Sequence, residues 1–261
     1  MNLVDPSFQY SDEDHAHYEK TGYCIVGKFL SDEGIAHCRR EVELMMQEKK
    51  LPELPADRII SAHQQEPWLW ELATQPALLD LMEKQVGPNL VLWSSHLVCK
   101  PPRSGFHVPW HQDTPYWNIS GPLPGSIWLA IDDIDAENGG MCLLPNWHNK
   151  GTLPRRSTGT EVFSEEIAPD ALPANVEELK LQYEFPAGWL ATHDTMLPHT
   201  SEPNSSDRWR RVIVLRYMTP DGEMGSKVYN DYRTGQPFDR EYYLVRGEGK
   251  GNPRLKDSPF S

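Results

Sequence analysis

The stretch PWHQDTPYW, residues 109–117, lies within a region whose pattern of short apolar runs decides the expected fold. From residue 89 onward these runs are separated by proline and glycine, and they predict strands near 90–100, 127–132, 141–144, 189–192 and 210–218. Residues 1–88 instead show mostly helical patterns. Helices followed by many short strands predict an α+β protein that is mainly β, with a sandwich or barrel core flanked by N-terminal helices.

The helical patterns before residue 89 have recognisable boundaries. Ser11 and Ser31 are each predicted to cap the N-terminus of a helix. The second of these helices is expected to run to about Lys49. Two further helical pieces are predicted at 68–74 and 75–86, and one strand at 22–26. These elements form the predicted flank of the barrel.

The length of 261 residues fits a single domain. Within it we expect a helical flank at 1–88, a barrel core at 89–218 and a C-terminal extension at 219–261. The polar segment 149–173 interrupts the strand region and is predicted to be a surface loop or lid.

Composition excludes several classes of protein. The formal net charge of −13 argues against a nucleic-acid partner, because an acidic surface repels phosphates. No window approaches the 18 consecutive apolar residues of a membrane helix, and the acidic N-terminus does not resemble a signal peptide. The four cysteines are scattered without a CxxC motif, which favours buried thiols in a reducing compartment. We therefore expect a cytoplasmic protein with no nucleic-acid or membrane partner, and the composition indicates no particular oligomeric state.

The His111-Gln112-Asp113 motif is the strongest chemical signal in the chain. If it lies on a strand, alternation directs His111 and Asp113 to the same face and presents one imidazole and one carboxylate. His199, 88 residues later, is the best candidate for a second histidine. Two histidines and one carboxylate form a facial triad, which leaves three positions on a ferrous ion for a chelating cosubstrate and oxygen.

An arginine follows the distant histidine at a suggestive spacing. Arg210 stands eleven residues after His199, and an arginine fork binds a distal carboxylate such as that of 2-oxoglutarate. Arg211 is its immediate rival. Strand alternation places the two on opposite faces of 210–218, but both faces are apolar, so periodicity does not choose between them.

Each of these signals has a simpler interpretation when taken alone. An isolated His-x-Asp is commonly a surface turn, and an isolated arginine on a sheet is equally well an ion pair. Asp194, beside His193, is another carboxylate near His199, and we interpret it as a turn-capping residue. The order of His-x-Asp, distant histidine and arginine is much more specific than any of its parts.

The chain resembles the phytanoyl-CoA dioxygenase family of iron(II)- and 2-oxoglutarate-dependent oxygenases. Four segments covering about half of the chain carry the resemblance: LVCKPPRSG (97–105), PWHQDTPYW (109–117), IWLAIDDIDAENGGMCLLPNWH (127–148) and HTSEPNSSDRWRRVIVLRY (199–217). The resemblance implies a double-stranded β-helix, the cupin-like jelly-roll barrel of this superfamily. It also implies iron(II), 2-oxoglutarate and O₂ as the reacting cofactor and cosubstrates.

Site residues follow from the resemblance position by position. It implies that three residues bind iron(II): His111, Asp113 and His199. It implies cosubstrate contacts for three more: Arg210, Ser201 and Trp128. In this way the resemblance favours Arg210 over Arg211, a choice that periodicity leaves open.

The expected activity is hydroxylation of a small organic molecule. One alternative is non-hydroxylating oxidation by the same centre, such as desaturation or epimerisation. A second is a cupin-like metal-dependent hydrolase that uses a zinc-bound water, and a third is a barrel that only binds a ligand. The hydrolase would not need Arg210, so loss of activity on removing that arginine distinguishes the oxygenase from the hydrolase.

Aromatic residues near the metal motif are candidates for the substrate pocket. The predicted pocket residues are Trp93, Trp110, Tyr116, Trp117 and Asn118. The competing interpretation is packing in the core and at the barrel mouth. With few fixed charges expected beside these rings, the sequence favours an apolar or cationic substrate, approached past the loop 149–173. Arg103, Arg155 and Arg156 are weaker candidates for contacts with an anion, and surface charge is the simpler interpretation of the two loop arginines.

Overall fold

The computed structural model describes residues 2–49, 57–103, 107–117, 119–159, 163–224 and 228–260. Its helices are α1 (Asp12–Thr21), α2 (Asp32–Glu48), α3 (Pro67–Ala73), α4 (Pro76–Val86), α5 (Asp113–Trp117) and α6 (Val176–Leu179). Short 3₁₀ turns lie at Ala62–Gln64, His148–Lys150 and Pro169–Ala171. In the described ranges, no helix combines the length and apolar character needed to cross a membrane.

Among the residues that the structure describes, the strands form two main sheets and three separate two-stranded sheets. The first nine are β1 (Tyr23–Lys28), β2 (Asp57–Ile60), β3 (Leu90–Lys100), β4 (Val108–His111), β5 (Ile119–Ser120), β6 (Gly125–Ala130), β7 (Met141–Leu143), β8 (Arg155–Ser157) and β9 (Glu165–Ile167). The others are β10 (Leu181–Gln182), β11 (Trp189–Asp194), β12 (His199–Ser201), β13 (Arg210–Met218), β14 (Glu223–Met224), β15 (Val228–Asn230), β16 (Pro237–Asp239), β17 (Tyr242–Arg246) and β18 (Leu255–Lys256).

Helices α1 and α2 begin directly after Ser11 and Ser31, the residues predicted to cap them. The Asp14 amide donates to Ser11 Oγ at 3.0 Å, and the Ser11 amide donates to the Asp14 carboxylate at 2.9 Å. This reciprocal capping box fixes the start of α1. Ser31 Oγ accepts from the Gly34 amide at the start of α2.

The larger sheet has the order β1-β11-β6-β13-β3-β17-β18, and β2 also pairs with β3. Its outer face packs against α2, α3 and α4. Ile213, Leu215 and Tyr217 of β13 belong to that core. The intervening Val212 and Val214 belong to a second core on the inner face. Alternation along one strand thus separates a helix-covered face from the barrel interior.

The smaller sheet has the order β10-β7-β12-β4 and packs on the inner face of the larger one. Met141 and Leu143 of β7 share a buried cluster with Trp128 of β6 and Val214 of β13. Two mainly antiparallel sheets packed face to face, with helices outside, form a jelly roll. The predicted fold class is confirmed.

Several elements differ from the expected division of the chain. The segment 1–88 supplies two strands of the larger sheet, β1 and β2, and the extension 219–261 supplies β17 and β18. Two strands lie within the range 149–173, where a loop was expected, because β8 and β9 pair with each other. Ion pairs at 2.6 Å join Arg155 to Glu165 and Arg156 to Glu166 across this pair, so both arginines carry surface charge.

Candidate active site

His111 and His199 lie directly opposite each other on the neighbouring strands β4 and β12. Their ring centroids are 4.1 Å apart. Nδ1 of His111 lies 2.8 Å from the Pro109 carbonyl, and Nδ1 of His199 lies 2.9 Å from the Leu197 carbonyl. Because a carbonyl only accepts, each Nδ1 must carry the proton. Both rings are therefore held in the tautomer whose Nε2 lone pair binds a metal.

Asp113 lies close to both histidines, but strand alternation is not the reason. Strand β4 ends at His111, and Asp113 is the first residue of helix α5, so strand alternation does not explain its position. Instead, the amides of Asp113 and Thr114 both donate to the Thr195 carbonyl, at 2.9 and 3.1 Å. The turn that precedes His199 thereby also fixes Asp113.

These three side chains fit a divalent metal ion. One ligand atom from each of His111, Asp113 and His199 lies within 4.8 Å of the others, and all three residues are buried. Oδ2 of Asp113 is buried and makes no hydrogen bond to any described residue. A buried carboxylate oxygen is costly unless a cation or donor compensates it, so this atom favours a bound cation. Two imidazoles and a carboxylate form the facial donor set of a ferrous site.

The structure places Arg210 and Arg211 in different environments. Arg210 is only 2% exposed and lines the cavity that contains the three candidate ligands. Arg211 points to the outer face, where its Nε and Nη2 hold the Asp132 carboxylate at 2.8 and 2.9 Å. The arginine on the inner face is therefore the one that can reach a ligand in the barrel.

Ser201 and Trp128 also line this cavity. Ser201 accepts a 2.8 Å hydrogen bond from Nζ of Lys100, a fully buried lysine. On strand β3, Lys100 stands opposite Arg210 of strand β13. Sequence reasoning missed Lys100. The feature that could have identified it is a lysine at the end of LVLWSSHLVCK, a strand with no other residue of fixed charge. Lys100 holds the serine in place from behind the cavity wall.

The cavity has a volume of about 170 Å³. Pockets for drug-sized ligands typically measure about 300–1,000 Å³, so this volume suits small molecules. Segment 149–173 contributes to the wall through Phe163, whose ring centroid lies 5.3 Å from that of His111.

The predicted substrate residues divide into three groups. Trp93 and Trp117 line the cavity, with ring centroids 4.9 Å apart. Trp110 does not belong to its described lining, because it alternates with His111 along β4 and faces away. Tyr116 lies in α5 and its side chain is outside the described residues, as is the whole of Asn118.

The expectation of few fixed charges near the aromatic rings is wrong. Arg216 and Arg240 both line the cavity beside Trp93 and Trp117. Arg216 could have been found from the sequence, because it lies six residues after Arg210 on the same face of β13. Arg103, by contrast, forms an exposed ion pair with Asp207 at 2.7 Å.

Two further titratable residues, adjacent in strand β11, lie near the triad. His193 on β11 is buried with Nε2 4.0 Å from Asp113 Oδ2, and burial lowers its pKa to about 3, so the ring is neutral. Asp194 accepts a 2.7 Å hydrogen bond from the Met196 amide, the turn-capping role predicted for it. Burial raises the pKa of this carboxyl.

Comparisons with known proteins agree with this site. The family model described as phytanoyl-CoA dioxygenase (PhyH) matches residues 18–212. A probable alpha-ketoglutarate-dependent hypophosphite dioxygenase from Stutzerimonas stutzeri is 26% identical, covering 95% of this chain and 91% of that protein. The peroxisomal phytanoyl-CoA dioxygenase of Bos taurus is 28% identical over 80% of this chain and 71% of its own length.

A solved structure shares the fold. The apo non-heme monooxygenase ThoJ superposes with a TM-score of 0.73 at 24% identity, over 95% of this chain and 90% of that chain. The family match covers most of the chain and includes all three candidate metal ligands. The predicted family, enzyme class and cofactors are thereby confirmed: the chain belongs to the phytanoyl-CoA dioxygenase family of iron(II)- and 2-oxoglutarate-dependent oxygenases.

Proposed function

We propose that the enzyme hydroxylates a C–H bond of a small organic molecule, with His111, Asp113 and His199 as the ligands of iron(II). The observation that carries the proposal is that these three residues and Arg210 line one cavity of about 170 Å³. A facial triad beside an inward-facing arginine is the donor set that iron(II) and a chelating dicarboxylate require together.

The triad residues prepare the metal site before any reaction. Hydrogen bonds from Nδ1 to backbone carbonyls orient both imidazoles, so no tautomer change is needed when a metal binds. Asp113 supplies one negative charge, which offsets part of the charge of the cation. When bound, iron(II) together with 2-oxoglutarate and O₂ supplies the oxidising chemistry that no side chain can provide.

Arg210 and Ser201 are proposed to hold the far carboxylate of 2-oxoglutarate. A buried guanidinium donates two parallel hydrogen bonds to a carboxylate, and its attraction is strong because little water screens it. Ser201 Oγ accepts from Lys100, so its own proton can be donated to the cosubstrate. Trp128 forms an apolar wall on the adjacent strand β6.

The cavity also limits access of water to the reaction centre. Val98, Val108, Met141 and Val214 supply apolar surface around the polar groups. Excluding water favours reaction with the substrate over unproductive consumption of cosubstrate.

The test is a compound-dependent assay for succinate. Purified enzyme with iron(II), 2-oxoglutarate and O₂ is screened against small metabolites, and the product is analysed after reaction under ¹⁸O₂. Hydroxylation predicts succinate release that depends on the compound and one ¹⁸O atom in the product. Product without added oxygen would instead support desaturation or epimerisation. Turnover without 2-oxoglutarate would support the hydrolase.

We also propose a reducing, cytoplasmic location and no nucleic-acid partner. The location is supported by Cys24, Cys38, Cys99 and Cys142, which are all buried thiols. The proposal of no nucleic-acid partner is supported by the net charge of −13, because an acidic surface repels phosphates.

A further inference from the structure

We infer that the substrate carries a hydroxyl or carbonyl oxygen that hydrogen-bonds the ring of His193, and that this bond selects the carbon presented to the metal. This inference rests on the proposed function, because it names the substrate class of the same cavity. The sequence favoured an apolar or cationic substrate, so the inference changes the expected class to an oxygenated one.

His193 is a buried polar residue that lines the cavity without making a hydrogen bond. It is 2% exposed, and neither Nδ1 nor Nε2 has a hydrogen-bond partner among the residues that the structure describes. In its neutral form, an imidazole ring offers one N–H donor and one acceptor nitrogen. Burying both without partners is unfavourable, so a molecule inside the cavity is needed to complete them.

The other buried histidines of the described ranges are bonded differently. Nδ1 of His111 and Nδ1 of His199 each donate to a backbone carbonyl, as described above. Nδ1 of His63 lies 2.8 Å from Ser95 Oγ, on the outer side of β3. The lack of a partner at His193 is therefore a particular property of this position, and it occurs at the wall of the reaction cavity.

His193 lies beside the candidate metal ligands. Its Nε2 is 4.0 Å from Asp113 Oδ2, which is too long for a hydrogen bond, and its ring centroid is 5.0 Å from that of His199. A substrate oxygen bonded to this ring would lie about 3 Å from one of its nitrogens. The carbons next to that oxygen would then be the ones held closest to the metal.

The position of His193 in the larger sheet separates it from the proposed cosubstrate arginine. His193 stands opposite Ser126 of β6, and Ser126 stands opposite Arg216 of β13. Arg210 lies six residues before Arg216 on the same strand, which is about 20 Å along it. Trp117, a predicted substrate residue, lies over Arg216 at 4.4 Å. His193 is therefore at the substrate end of the cavity.

A second buried polar group at the same level of the sheet lacks a partner. Ser126 Oγ is fully buried and makes no hydrogen bond to any described residue, although it does not belong to the cavity lining. The main alternative to a substrate contact is a permanent water bound at this place. Such a water would satisfy His193 without giving it any influence on which molecules bind.

The experiment measures binding rather than turnover, on the full chain loaded with zinc(II) and 2-oxoglutarate. Zinc(II) takes the same nitrogen and oxygen ligands and supplies no redox chemistry. Two pairs of probes match in shape but differ in hydrogen bonding: cyclopentanol with methylcyclopentane, and cyclopentanone with methylenecyclopentane. NMR titration gives their affinities and the ¹⁵N shifts of the histidine rings. The His193 signals are those missing from His193→Phe, and calorimetry of 2-oxoglutarate binding reports the cosubstrate site separately.

We expect cyclopentanol or cyclopentanone to shift the ring ¹⁵N signals of His193, and the two hydrocarbons to leave them unchanged. His193→Phe keeps a ring but removes the hydrogen bond, so it should weaken the oxygenated probe about three- to tenfold and leave its hydrocarbon partner unaffected. His193→Gln retains a donor and an acceptor and should restore most of that affinity. His63→Gln is the matched control, because His63 is a buried histidine outside the cavity lining, and it should not change the affinities.

Three results would overturn the inference. They are no binding of either oxygenated probe, equal effects of His193→Phe on both members of a pair, or weaker 2-oxoglutarate binding in His193→Phe, which would place the ring in the cosubstrate site. If 2-oxoglutarate binds normally but the probes do not depend on His193, the inference fails and the proposed function stands. If the probes depend on His193 but 2-oxoglutarate does not bind, the proposed function fails and the oxygen-binding site stands.

Discussion

Arg210 and Arg211 are neighbours in the chain, yet their guanidinium groups lie on opposite faces of strand β13. Arg210 lines the barrel cavity, whereas Arg211 forms a two-pronged ion pair with Asp132 on the outer face. The same substitution at the two positions therefore has two different expected effects. At Arg210 it removes a proposed cosubstrate contact, and at Arg211 it removes a surface ion pair.

Arg210→Lys should raise the apparent KM for 2-oxoglutarate by about tenfold or more, because lysine keeps the charge but loses the planar fork. Arg211→Lys should leave that KM nearly unchanged. Succinate formation measured against 2-oxoglutarate concentration provides the comparison. Equal effects in both variants would reject the assignment of Arg210 to the cosubstrate.

Trp117→Ala should reduce compound-dependent turnover by about tenfold or more while uncoupled decarboxylation of 2-oxoglutarate stays nearly intact. The reason is that Trp117 contacts Trp93 and Arg216 on the substrate side of the cavity. Trp110→Ala, which changes a ring facing away from the cavity, is the control. If both activities of Trp117→Ala fell together, the ring would be part of the structural core.

Lys100→Met should lower the free energy of unfolding by about 2–4 kcal/mol, because it removes the donor to two buried oxygens of Ser201 and to the partly buried carbonyl of Glu202. It should also weaken the binding of 2-oxoglutarate, since Ser201 loses the hydrogen bond that fixes its orientation. Urea denaturation measures the first effect. Lys84→Met, which removes an exposed pair with Asp12, should change stability little.

Acid should destabilise the protein partly through His63. This ring is fully buried, and burial, followed by the charge of Arg240, lowers its pKa from 6.5 to about 3. Between these values the unfolded chain binds a proton that folded His63 does not. Stability therefore falls as the pH drops below about 6.5, by about 1.4 kcal/mol per pH unit for this group.

The check is urea denaturation of the metal-free chain at pH 7 and pH 5. His63→Met should show a shallower loss of stability with acid than the unmodified chain. His107→Met, at an exposed histidine, should keep the original pH dependence. The same slope in all three proteins would contradict the prediction.

The sequence predicted local elements better than the origin of the site geometry. Strand β13 has the predicted bounds 210–218, because apolar residues occupy both of its faces in a nearly continuous run from Val212 to Met218. Asp113 was placed near His111 for the wrong reason: a helix starts at that residue, and the backbone carbonyl of Thr195 sets its position. A contact with a residue 82 positions away is invisible to local periodicity.

The substrate side was predicted least well. Arg240 follows from no local pattern, because its place in the cavity depends on β17 pairing with β3, about 150 residues earlier in the chain. Without Arg216 and Arg240 the aromatic cluster resembled an uncharged pocket.

Gln112, the residue between the two ligands of the His-x-Asp motif, ties segment 149–173 to the metal site. Its amide donates to the carbonyls of Gly151 and Met196 at 2.9 and 2.7 Å, and its oxygen accepts from the Leu153 amide at 2.9 Å. Residues 151–153 thus share hydrogen bonds with the side chain that separates His111 from Asp113. A change in the position of this part of the segment would therefore be transmitted to the backbone that carries both candidate iron ligands.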